Sequence, residues 1–116
     1  MDLNEYQRRA HETAIYTTLV EYDEEGKRDI PITDDITGLA YTALGLNGEA
    51  GEFAEEVKKM IRNDKGNLTT SRKLRMIAEL GDVLWYLASA AKELGVDLEH
   101  VADYNLNKLA KRYADR

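Results

Sequence analysis

Apolar residues recur at steps of three and four along three successive stretches of this chain, and that periodicity fixes most of what it can fold into. Leu46, Ala50, Phe53, Val57 and Met60 form one stripe. Met76, Leu80, Val83, Leu87, Ala91 and Leu94 form the next, and Leu98, Ala102, Leu106, Leu109 and Tyr113 the last. A strand would need alternation with period two, so the pattern reads as amphipathic helices, each with one face to bury. The links between them are short, which makes consecutive helices antiparallel neighbours in a bundle.

Helix punctuation supports four segments. The first runs from about Leu3 to Tyr16, with Tyr6, Ala10 and Thr13 or Ala14 on one face. Glu21 to Asp35 is polar and holds Gly26 and the only proline, Pro31, so it reads as a loop, with a short extended piece at Thr17–Tyr22. The second helix starts near Thr33 to Asp35, which are good N-cap residues, and runs to about Arg62. Asn63-Asp64-Lys65-Gly66-Asn67 breaks the pattern before a third helix from Thr70 to Leu94. Gly95 ends that helix, and Asp97 caps the fourth. The expectation is an all-α antiparallel bundle of about four helices, one domain over residues 1–116.

Composition narrows the function. With Lys and Arg outnumbered 16 to 22 by Asp and Glu, the net charge of −6 argues against a nucleic-acid surface. It leaves room for anionic small molecules, because a bound divalent cation reverses the local sign. There is no cysteine, hence no disulfide or thiolate metal site. His11 and His100 are far apart and read as ordinary surface or core residues. No apolar run approaches the roughly 20 residues of a membrane span. The opening MDLNEYQRRAHETAIY lacks a signal-peptide apolar region, so a cytoplasmic protein without a membrane partner is expected.

The acids are informative for where they stand. Glu49 and Glu52 are three residues apart and share a helix face, and Glu79 and Asp82 repeat that relation in the next helix. At about 100° per residue, Glu49 lies about 40° from Phe53, at the border of the apolar stripe. Glu79 likewise borders Val83. Packed antiparallel, the two helices would bring both pairs together, and four carboxylates at close range need a counter-charge. Oxygen donors without His or Cys suit Mg²⁺, or Mn²⁺ in its place. Solvated helix faces are the competing reading, since acids at this spacing are common on helices. Gly45, Gly48 and Gly51 lie within the second helix at a cost of about 1 kcal/mol each against alanine. They point to close backbone approach by a helix or a ligand, or to a helix break there.

The stretches Gly45-Leu-Asn-Gly-Glu-Ala-Gly-Glu-Phe53 and Glu79-Leu-Gly-Asp-Val-Leu-Trp-Tyr-Leu87 closely resemble the MazG-type nucleotide pyrophosphohydrolases. Their signature is E-x-x-E, a spacer, then E-x-x-D; here Glu49-x-x-Glu52 and Glu79-x-x-Asp82 are separated by 26 residues. The likeness spans roughly Tyr41 to Arg112, and Tyr6-Gln7 and Thr13-Ala14-Ile15-Tyr16 are similar to small single-domain members. It implies an all-α homodimer or homotetramer with sites near subunit interfaces, and Glu49, Glu52, Glu79 and Asp82 as Mg²⁺ ligands and catalytic acids. It also implies a nucleotide contact for Tyr86, and nucleotide and phosphate contacts for Asn105 and Lys108 of the family's N-x-x-K pattern. Ala114 stands where the family usually has proline after its Arg-Tyr pair.

Other roles are open for several of these residues. Tyr86 could be a core aromatic, and Lys108 and Arg112 could serve the dipole of the last helix. Lys59 could reach phosphate or pair with Glu56 at i, i+3. Trp85 points away from Glu79 and is assigned to packing or an interface. The activity implied is Mg²⁺-dependent hydrolysis of (deoxy)nucleoside triphosphates to monophosphate and pyrophosphate, with a nucleotide derivative such as guanosine tetraphosphate as another substrate class. A non-catalytic helical interaction module is the alternative from a different functional class.

Overall fold

A computed structural model of the chain describes residues 1–14 and 37–114. Among them are four helices and no strand: α1 (Leu3–His11), α2 (Thr37–Asn63), α3 (Thr70–Glu93) and α4 (Leu98–Arg112). The expected N-cap of α2 at Thr33–Asp35, the polar segment Glu21–Asp35 and the extended piece Thr17–Tyr22 lie outside the described residues.

Local chemistry sets the ends. Asp2 caps α1 by accepting from the Glu5 amide at 2.7 Å. The expected continuation of α1 toward Tyr16 does not hold, since α1 stops at His11. Just beyond, the Thr13 hydroxyl donates to the Ala10 carbonyl at 2.7 Å and accepts from Trp85 Nε1 at 2.8 Å. Those side-chain bonds compete with continued helix. Lys65 and Gly66 turn the chain out of α2 with φ of 56° and 79°. Thr69 then caps α3, accepting from the Arg72 amide. At the other end Gly95, with φ of 75°, lets its own amide reach the Lys92 carbonyl and that of Val96 reach Ala91. That is the Schellman arrangement, in which glycine escapes the penalty a side chain meets in the left-handed region. Asp97 caps α4 through the His100 amide at 2.9 Å, as its position in the sequence predicts.

α3 is the central element. It packs against α2, α1 and α4, whereas α2 touches neither α1 nor α4. α2 and α3 form an antiparallel hairpin about 40 Å long, taking 1.5 Å per residue over the 27 residues of α2. α1 is fixed to the α3–α4 corner by Gln7, whose amide donates to the Ala88 and Val96 carbonyls and accepts from the Leu98 amide at 3.0 Å. Ala88, Ser89 and Ala91 are buried where α3 is crossed, and their small size permits the close approach.

The stripes are buried unevenly. Leu98 and Ala91 are buried as expected, but Leu80, Leu94 and Leu106, expected inward, are exposed. The physical reason is that α2 covers one side of α3, α1 and α4 cover another, and no described element closes the space between α2 and α4.

Candidate metal centre

The α2–α3 hairpin brings the two acidic pairs to one seam. Carboxylate oxygens of Glu49, Glu79 and Asp82 all lie within 4.8 Å of one another. Glu52 stands outside that group and is exposed, though its charge is felt at Glu79. Partial burial, followed by the charges of Asp82, Glu49, Glu52 and Glu56, pushes the Glu79 carboxyl above its ordinary range. A carboxylate so destabilised gains from a cation placed among its neighbours. The donors are all oxygen, and three carboxylates on two rigid helices leave positions for water and phosphate oxygens, which suits a hard divalent ion.

Tyr86 lies one turn beyond Asp82. It shares a hydrogen bond with Tyr41, and the two ring centroids are 6.3 Å apart. Trp85 meets it edge-on at 4.9 Å. Burial first, then Tyr41 and the charges of Glu49 and Asp82, raise the Tyr86 phenol above its ordinary value. Tyr6 of α1 is raised for similar reasons, by burial and by Asp82. The charge of Asp82 thus acts on tyrosines of α1 and α3, and Tyr41 of α2 is bonded to the second of them. Tyr41 and Tyr6 were not identified as site residues by sequence reasoning. Tyr41 stands eight residues before Glu49, on the same face of α2, and that spacing was the available signal.

The three glycines of α2 divide. A side chain at Gly45 would run into the Tyr86 ring, so close approach explains that glycine. Gly48 and Gly51 have nothing within 4 Å of where a Cβ would stand, and no helix break occurs there.

The remaining predicted residues are spread out. Glu56 does not pair with Lys59. Its partner is Arg72 at 2.6 Å, and Lys59 acts on it only through its field. Asn105 lines an apolar cleft with Leu3, Leu84 and Leu87, on the side of α3 away from Asp82. Lys108 is exposed on α4, which does not touch α2. Within one chain, then, neither Asn105 nor Lys108 is gathered with the acids. Trp85 is half-buried and bonded to Thr13, which fits its assignment to packing. A second cleft, of about 520 Å³, is lined by Asn4, Gln7, Arg8, His11, Lys92 and Asp97 and also lies away from the acids. No helix among the described residues is long and apolar enough to cross a membrane.

Comparison with known proteins agrees with this geometry. Residues 38–116 match the MazG nucleotide pyrophosphohydrolase domain. The chain is also similar to the Gene 37 protein of Mycobacterium phage L5, with 44% identity over 112 residues that cover 97% of this chain and 89% of that protein. No solved structure matches it.

Proposed function

The chain belongs to the MazG nucleotide pyrophosphohydrolase family, and from that membership together with the acidic seam we propose that it is a Mg²⁺-dependent enzyme hydrolysing (deoxy)nucleoside triphosphates to monophosphate and pyrophosphate. Such an activity serves nucleotide-pool control or house-cleaning. The observation that carries the reading is the convergence of Glu49, Glu79 and Asp82 from two helices, with carboxylate oxygens within 4.8 Å.

These three acids, with Glu52 beside them, are the residues that would hold the metal. Bound there, Mg²⁺ supplies charge neutralisation at the phosphate oxygens and lowers the pKa of a coordinated water. Glu52, outside the tight group, accepts the proton of the attacking water. The water oxygen bonds to the α-phosphorus, and the bond from that phosphorus to the bridging oxygen breaks. Pyrophosphate leaves with the electron pair. Tyr86, steadied by Tyr41 and Trp85, orients the nucleoside, and Lys59 meets the phosphate chain. Orientation of this kind, with electrostatics, accounts for most of the catalysis in phosphoryl transfer.

Assembly completes the site. The acids stand on an open seam, and α4 with Asn105 and Lys108 does not reach it within one chain. A homodimer or homotetramer would cover the exposed apolar residues of α2 and α3 and let α4 of one subunit serve the site of another.

The test is release of monophosphate and pyrophosphate from a panel of ribo- and deoxynucleoside triphosphates, with Mg²⁺, with EDTA and with Glu52→Gln. Metal-dependent, equimolar release that disappears in the variant supports the proposal. A folded protein inactive on every triphosphate and nucleotide derivative, and unaffected by Mg²⁺, would leave the interaction-module reading.

A further inference from the structure

Arg72 sits where helix physics disfavours it. It is the third residue of α3, at the positive end of the helix dipole, and it is buried to 7% exposure. Two carboxylates offset both costs. Nη1 lies 2.6 Å from Glu56 Oε2, and Nε lies 2.9 Å from Asp64 Oδ2. The three side chains tie the end of α2, the turn after it and the start of α3 into one ionic knot. Arg72 in turn holds both acids below the ordinary carboxylate range.

The position of this knot relates it to the acidic cluster. Glu56 stands one heptad after Glu49, and Arg72 one heptad before Glu79. In an antiparallel hairpin the pairs Glu56–Arg72 and Glu49–Glu79 are therefore rungs of one seam, about 10 Å apart at 1.5 Å per residue. One rung attracts and the other repels. α2 has no described neighbour except α3, so no other described helix resists that repulsion. Sliding α2 by a single turn would separate Glu49 from Glu79.

We propose that Arg72 is a positioning residue that fixes the register of α2 on α3 and so holds Glu49 against Glu79 and Asp82 before any cation binds. The use of that register rests on the metal-dependent function proposed above; the clamp itself does not. Arg72 touches no reacting atom, and its effect reaches the site through the helix.

The experiment exploits the absence of cysteine. Cysteines replacing the exposed residues Lys58 and Ala78 carry nitroxide labels, one on each helix, with labelled chains diluted into unlabelled ones. In the metal-free protein the label distance is expected to be single and narrow. Arg72→Gln is expected to broaden it while helix content is retained, and Arg72→Lys to restore part of the narrowing. Titration with Mn²⁺ alone should show at least tenfold weaker binding for the folded Arg72→Gln protein and a smaller loss for Arg72→Lys. An unshifted, narrow distance in Arg72→Gln would overturn the clamp. A broadened distance with Mn²⁺ affinity unchanged would overturn its role in holding the acids. Should Arg72→Gln fail to fold, Glu56→Gln keeps the Asp64 bonds and is read by the same criteria. Absence of Mn²⁺ binding by the parent chain counts against the metal centre, and the label distance still decides the clamp.

Discussion

The ring of Tyr86 lies so close over Gly45 that a methyl group on that glycine would overlap it. Gly45→Ala sets two effects against each other. Alanine favours the helix by about 1 kcal/mol, whereas forcing a side chain into a packed site costs about 1–3 kcal/mol. Tyr86 has little freedom to yield, being bonded to Tyr41 and packed edge-on by Trp85. The expected outcome is net destabilisation by up to about 2 kcal/mol in denaturant unfolding, together with a raised KM for nucleotide. Gly48→Ala and Gly51→Ala meet nothing within 4 Å and should each stabilise by about 0.5–1 kcal/mol. A loss at either position would show that this face is covered in the assembled protein.

Thermal melting with and without Mg²⁺ reads the acidic centre directly. A ligand that binds only the folded state stabilises it by about 2.7 kcal/mol at a hundred times its Kd. The parent chain should melt higher in saturating Mg²⁺. Asp82→Asn and Glu49→Gln should lose most of that rise, and should melt higher than the parent in EDTA because they relieve repulsion within the cluster. A metal-induced rise of the same size in all three proteins would remove these acids from the ligand set.

The pH dependence has two limbs of opposite sign. Glu79 is raised in the folded protein above its ordinary 4.5. Its contribution to stability is therefore fully present below the unfolded value and is lost as pH rises through the raised one. Glu56 and Asp64 are lowered by Arg72, so what they contribute is present above the ordinary carboxylate range and lost as pH falls through their depressed values. Metal-free melting temperature should fall on both sides of a weakly acidic maximum. Glu79→Gln should flatten the upper limb alone. Because metal needs the ionised carboxylate, the rise produced by Mg²⁺ should grow with pH across that upper limb. A metal-induced rise independent of pH there would contradict the assignment of Glu79.

Much of this was legible in the sequence, and the parts that were not have physical reasons. Periodicity and caps located α2, α3 and α4, because a helix stripe and an Asp97-type cap are local signals. The i, i+3 spacing of Glu49 with Glu52 and of Glu79 with Asp82 led to the expectation that both pairs meet. Glu49, Glu79 and Asp82 do, while Glu52 stands outside the group, because helical spacing gives a shared face without fixing how far each side chain reaches. Arg72 escaped notice because its partners come from another helix and from a turn. The only hint was a cation one heptad before Glu79. The Gln7 bonds to Ala88, Val96 and Leu98 are also long-range, and no pattern within α1 announces them. Leu80, Leu94 and Leu106 were read as inward because periodicity shows that a face is apolar without showing what covers it.

Other exposed apolar residues of the α2–α3 hairpin lead to the last prediction. Leu44 is 75% exposed, Leu74 62% and Ile77 53%, all on the two helices that carry the acids. Isolated exposed leucines need no explanation, but several along one hairpin indicate a surface that another protein covers. Burying one such side chain is worth about 1.5–3 kcal/mol, so placing charges at two of them should weaken a homo-oligomer by at least a hundredfold in Kd. Leu74→Glu with Ile77→Glu is expected to shift the mass in sedimentation toward the monomer. On the proposal that α4 of a second subunit completes the site, turnover should fall with the mass and recover as protein concentration rises. The helical spectrum of the doubly substituted chain should persist, since neither residue lies in the α1–α3–α4 core. A parent chain already monomeric at the concentrations used for turnover, and fully active, would rule out a shared site.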